Sequence, residues 1–95
     1  MIPTNRIPTH PGRILKEEFL DVLGISQVAF SAHIQVPVQR INEIVRGKRG
    51  ITSQTAWLLA QSLDTTPEFW LNLQATFDLA MNRPEKTVLK LRMSS

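Results

Sequence analysis

An all-α domain of five helices built around a helix-turn-helix is the fold this sequence predicts, on three observations. Between Gln27 and Arg46, the residues Phe30, Ile34, Val36, Ile41 and Ile44 occupy the five apolar positions that two short helices joined by a tight turn must bury, and Ser31 is small where they touch. Ala56, Leu59, Ala60 and Leu63, then Trp70, Leu73, Phe77 and Ala80/Met81, repeat at helical rather than strand spacing. Helix starts and stops (Gly24, Ser26, Gly47, Thr66-Pro67) fall between these stretches.

Each element follows from local chemistry. Met1–His10 contains Pro3 and Pro8 and no periodicity, and is expected to be an extended arm. Pro11 suits the first turn of the first helix, where its missing N–H would have no partner anyway. That helix is expected to reach about Leu23, with Leu15, Phe19, Val22 and Leu23 inward and Gly24 as its stop. Ser26 caps the second helix, Gln27–Ile34. A short turn leads to the third, Pro37–Arg46, stopped by Gly47. The turn ordinarily takes glycine in a left-handed conformation; Gln35 stands there, at a cost of about 1 kcal/mol.

Thr52 or Ser53 caps the fourth helix. The fifth, long helix opens either with Thr66 as cap and Pro67 first, or with a Thr65/Glu68 capping box, and Pro84 ends it. Residues 1–84 thus make one helix-turn-helix domain, the motif itself at about 26–46. Residues 85–95 form a basic tail, flexible or with a short strand at Thr87–Leu91.

Composition narrows the function. Ninety-five residues suit one core, and 42% apolar content is that of a folded chain. The absence of cysteine removes disulfides, thiolate catalysis and sulfur-ligated zinc, and fits a reducing cytosol. No apolar run approaches ~18 residues, so no membrane span is expected, and Met1–Pro8 lacks the apolar core of a secretion signal. His10 and His33 are far apart and lack a paired carboxylate or nucleophile, and Glu17 and Glu18 diverge on a helix; with no phosphate loop or metal spacing, neither an enzyme nor a cofactor is expected.

The charge has a location. Between Val36 and Arg49, Arg40, Arg46, Lys48 and Arg49 stand against Glu43, so this stretch alone holds a net +3, and the rest of the chain is balanced. Such concentration beside a helix-turn-helix is the footprint of phosphate binding. With Ile41 and Ile44 inward, at ~100° per residue Gln39, Glu43 and Arg46 lie nearest the outer centre of the third helix, flanked by Asn42 and Arg40. That face suits the DNA major groove. Gln39 and Arg40 are the first candidates for base contacts, since Gln pairs bidentately with adenine and Arg with guanine. Val38 can meet a thymine methyl or be partly buried. Asn42 and Glu43 complete the base-contact candidates. Glu43 either accepts from a cytosine amine or, as is preferred, holds Arg40 or Arg46 in place, because an unpaired carboxylate beside phosphates is costly. Phosphate contacts are expected from Gln27 at the start of the second helix and from Arg46, Lys48 and Arg49.

The segments His10-Pro11-Gly12-Arg13-Ile14-Leu15-Lys16-Glu17-Glu18-Phe19, Arg40-Ile41-Asn42-Glu43-Ile44-Val45-Arg46-Gly47-Lys48-Arg49 and Thr66-Pro67-Glu68-Phe69-Trp70-Leu71-Asn72-Leu73-Gln74 together resemble the HigA (VapI-like) antitoxins, a branch of the lambda-repressor-like, Xre-type helix-turn-helix proteins. The likeness spans roughly His10 to Asp78, and the run from Pro67 to Gln74 is its most specific part.

The resemblance implies a lambda-repressor-like five-helix domain that represses its own operon by binding a palindromic operator. It also implies a toxin partner, a HigB-like, RelE-like mRNA endoribonuclease that the chain neutralises. It implies a homodimer as well, with Trp70, Leu73, Gln74 and Phe77 of the last helix contributing, although Trp70 and Phe77 can equally be core. Two half-sites ~34 Å apart also give a dimer the discrimination that one helix lacks. Glu17, Glu18 and Asp21, with the Met1–His10 arm, offer an acidic surface for a basic toxin, and can equally be a solvated helix face. The alternatives are a solitary Xre-type regulator with the same DNA chemistry, and an interaction module without DNA binding, which the Gln39/Arg40 face argues against.

Overall fold

The structure, a computed structural model, describes residues 8–92, and among them there are five helices and no strand. Helix α1 is continuous through an α-turn at Pro11–Ile14, a wider π-wound stretch at Leu15–Leu20 and a last α-turn at Asp21–Leu23. His10 caps it, its Nδ1 accepting from Gly12 N–H at 2.9 Å, and Pro11 takes the first position as expected. In the π stretch the Asp21 N–H reaches back five residues to the Lys16 carbonyl. The wider turn changes the phase of the buried stripe. Leu15 and Leu20 point into the core, Phe19 is half-buried, and Val22 and Leu23, expected inside, are 75% and 64% exposed.

Helix α2 is Gln27–Ile34, with Ser26 Oγ accepting from Ala29 N–H at 3.0 Å. It ends in a left-handed Gln35 (φ 60°), with Val36 N–H returning to the Ser31 carbonyl and Gln35 N–H to that of Ala32. The chain therefore makes the glycine-type turn without glycine. Ser31 is buried between the helices, and its hydroxyl donates to the Val28 carbonyl. Helix α3 is Val38–Val45, one residue shorter at each end than expected, and Gly47 (φ 74°) stops it.

Helix α4, Ser53–Leu63, is capped by Thr52, and helix α5, Pro67–Met81, by Thr66, which settles both pairs of alternatives. Thr65 has a separate task, accepting from Trp70 Nε1 at 2.7 Å. Ala80 and Met81, expected on the inner stripe of α5, are exposed because the helix outruns the body of the domain. Residues 82–92 are exposed and irregular; the strand considered for Thr87–Leu91 is not formed, and no strand among the described residues could pair with it.

Trp70 sits fully buried in a core with Leu15, Leu20, Phe30, Ile41, Ile44 and Leu59, packed by Phe19 and Phe69 at ring distances of 5.3 and 5.0 Å. This core holds α3 from behind. The closest approach is at Gly12, where a Cβ would lie 1.7 Å from the Ile44 carbonyl oxygen. Only glycine lets the first turn of α1 press against the last turn of α3.

Candidate nucleic-acid interface

The outward face of α3 rests on Ile41 and Ile44, both wholly buried. Opposite them Gln39 and Arg46 are exposed, Arg40, Asn42 and Glu43 are half-exposed, and Val38 is 42% exposed. The expected reading side chains thus share one accessible surface. Lys48 and Arg49 adjoin it because the end of α3 is locked: Gly47 N–H bonds the Ile44 carbonyl and Lys48 N–H the Glu43 carbonyl, at 3.0 and 2.8 Å. This pair of bonds folds the basic loop back over the helix it follows.

Two side-chain pairings were not legible from spacing. Asn42 Nδ2 donates to Gln27 Oε1 at 3.3 Å, which joins the first residue of α2 to the middle of α3. This bond orients Gln27, whose own amide N–H groups stay available at the start of α2, where an anion is favoured. Glu43, expected to hold Arg40 or Arg46, instead pairs with Arg49, Nε to Oε1 at 2.8 Å. Gln39, Arg40, Glu43, Arg49 and Pro37 line one cavity of about 210 Å³ on this face.

Behind the face, Gln74 ties the loop to α5. Its Oε1 accepts from the buried Ile51 N–H at 2.7 Å, and its Nε2 donates to the exposed Asp78 at 2.9 Å. Its amide also lies against Gly50, where a Cβ would come within 3.2 Å. Two of the four residues expected to pair copies of the chain, Trp70 and Gln74, are consequently used inside one copy, while Leu73 and Phe77 remain partly exposed.

The acidic strip expected on α1 is also altered. Glu17 pairs with Arg13 at 2.8 Å and Asp21 with Lys16 at 2.9 Å, so two of its three carboxylates are locally neutralised, and Glu18 is exposed. Met1–Ile7 of the arm proposed to join that surface lies outside the described residues.

His10 links the two sides of the domain. Its ring meets Phe77 of α5 edge-on at 4.8 Å and lies 3.7 Å from where a Cβ on Gly47 would be. Burial lowers its pKa below the ordinary 6.5, with Asp78 opposing, and favours the neutral ring that can accept from Gly12. His33 is exposed beside a cleft formed with Gln35, Gln61 and Ser62.

The helix-turn-helix family HTH_3 matches residues 17–70. Virulence-associated protein I of Dichelobacter nodosus is 41% identical over 88 residues, covering 92% of this chain and 82% of that protein. Antitoxin HigA-1 of Vibrio cholerae is 38% identical over 79 residues, covering 83% and 74%. Among solved structures, that of the Pseudomonas aeruginosa antitoxin HigA with the higBA promoter is similar at 42% identity and a TM-score of 0.76, covering 78% of this chain and 80% of that one.

Proposed function

Because the chain belongs to the helix-turn-helix family that contains the HigA antitoxins and their virulence-associated relatives, we propose that it is the antitoxin of a type II toxin–antitoxin module that represses its own operon. The observation carrying this reading is the α3 face: a short helix anchored by Ile41 and Ile44, with Gln39 and Arg40 outward and a folded-back basic loop beside them. Proteins of this helix-turn-helix family are regulators and not enzymes.

In this reading Gln39 and Arg40 contact bases, with Val38 against a thymine methyl. Gln27, oriented by Asn42, and Arg46 and Lys48 contact the phosphates on either side. The two kinds of contact do different work. Bidentate amide and guanidinium pairs discriminate by about 1–3 kcal/mol each, whereas phosphate contacts set register and overall affinity. Two copies pair through the outer side of α5, where Leu73 and Phe77 are part-exposed and Leu79 is 76% exposed, and present two α3 helices to a palindromic operator. The second partner is a HigB-like, RelE-like endoribonuclease toxin, held inactive in the bacterial cytoplasm where its messenger substrates are. A solitary regulator would use the same face; the antitoxin relatives favour the toxin-bound role.

The test is to purify tagged chain from its native cells at moderate salt and identify co-purifying protein by mass spectrometry. A stoichiometric small basic partner whose ribonuclease activity this chain suppresses is the expected result. Chain recovered alone while still shifting its own promoter DNA would make it a solitary regulator.

A further inference from the structure

Sequence spacing puts Arg49 beside Lys48 as a second phosphate contact, but the two residues are held differently. Lys48 projects from the stop of α3 as an exposed point charge with no ion-pair partner among the described residues. Arg49 is turned back by the Gly47 and Lys48 backbone bonds, and its Nε is fixed on Glu43 at 2.8 Å, in the cavity that Gln39 and Arg40 also line. It lies among the reading residues.

We propose that Arg49 is a specificity-determining residue that reads a guanine in the operator, with Glu43 as the positioning residue that aims it. The inference rests on the operator-binding reading above and deepens it. Three physical points support it. A guanidinium whose Nε is occupied keeps both terminal NH₂ groups free, and that pair matches the O6 and N7 acceptors of guanine in the major groove. Arg49 remains 51% exposed at the side chain, so those groups are accessible. The Glu43 contact also restricts the side chain before DNA arrives, so less rotamer freedom is lost on binding.

Charge separates the two roles. Arg49 and Glu43 together are neutral, so the pair adds little to the net attraction for phosphate, and a carboxylate this near the backbone of DNA is tolerable because Arg49 offsets it. Lys48 has no such offset. The face therefore divides into a salt-sensitive clamp at Lys48 and a base-sensitive pair at Arg49 and Glu43.

The experiment is fluorescence-anisotropy competition on the operator duplex and a set carrying every single base-pair change in one half-site, at several salt concentrations. Wild-type chain is compared with Arg49→Lys, Glu43→Gln and Lys48→Ala, each checked for an unchanged melting temperature, as expected for side chains outside the core. Arg49→Lys keeps the charge but loses the rigid planar fork and the Nε that Glu43 anchors. It should lose about tenfold discrimination at one G·C pair and retain preference elsewhere. Glu43→Gln should weaken discrimination at that same pair. Lys48→Ala should weaken all duplexes alike, with a shallower salt dependence. If Arg49→Lys keeps every base preference, or Arg49 and Glu43 substitutions affect different base pairs, the assignment is wrong. If wild-type chain shows no base preference at all, the operator reading itself fails, an outcome distinct from selective failure at Arg49.

Discussion

Helices α3 and α5 are both amphipathic, yet one is complete within a single chain and the other is not. Every apolar position of α3 from Ile41 to Val45 is covered wholly or in part by its own domain, and what remains outside is polar and charged apart from Val38 at its start. Helix α5 begins in the same way, with Trp70 and Gln74 buried, but its last turns leave Leu79 and Met81 at 76% and 52% exposed. In the tail beyond, Val88, Leu89 and Leu91 are more than three-quarters exposed. The contrast teaches that the polar face of α3 is finished within one copy of the chain, whereas the C-terminal part has apolar surface that one copy does not cover.

The comparison can be broken first at the core that both helices share. Trp70→Ala removes the central side chain of α5 and its bond to Thr65, and should lower stability by about 3–5 kcal/mol in urea denaturation. Gly12→Ala strikes α3 from behind. Its Cβ cannot coexist with the Ile44 carbonyl, so α1 and α3 must separate, and the loss should be about 3 kcal/mol with a fall in DNA affinity as the reading face shifts. Were Gly12→Ala to melt like wild type, the close packing that positions α3 would be disproved.

Smaller effects sharpen the contrast. Lys48→Ala should leave the melting temperature unchanged and reduce the slope of log affinity against log salt by about 0.9, equally for all duplexes. Gln35→Gly should stabilise the chain by about 0.5–1 kcal/mol, because glycine relieves the left-handed strain in the α2–α3 turn; differential scanning calorimetry would register it. His10 bridges the two helices and gives the mildest effect. Since burial lowers its folded pKa, the unfolded chain binds the proton more readily. The contribution is complete above pH 6.5 and is lost as pH falls below it, when a protonated Nδ1 can no longer accept from Gly12. Denaturation midpoints on either side of pH 6.5 should differ in wild type, and His10→Asn, which keeps a capping acceptor, should flatten that difference.

What the sequence made legible follows the range of the interactions. Caps and stops are local, so Ser26, Gly24, Gly47 and Thr66-Pro67 marked the helices to within a residue or so. The α3 face was legible because Ile41 and Ile44 define its inner side without reference to neighbours. The stripe of α1 was not, since a periodic reading assumes 3.6 residues per turn and the π stretch exchanges Leu20 for Val22 and Leu23. Gly12 had a visible signal, a glycine just inside a helix start with no capping role, but its neighbour Ile44 is far along the chain. Glu43 with Arg49 and Asn42 with Gln27 depend on how two turns fold, and the inward direction of Gln74 depends on the Ile51 amide. Apolar spacing on α5 identified a buried face without saying whether this chain or a second copy buries it.

The most direct test of the central claim, that the α3 face reads DNA sequence, is to titrate the chain and its Gln39→Ala/Arg40→Ala variant against the promoter of its own operon and a scrambled duplex of equal length. Wild type should prefer the promoter by roughly a thousandfold or more, and the variant should lose most of that preference while still binding both duplexes through its phosphate contacts and melting as wild type does. A variant that retained the promoter preference would contradict the account, and would move sequence recognition away from α3.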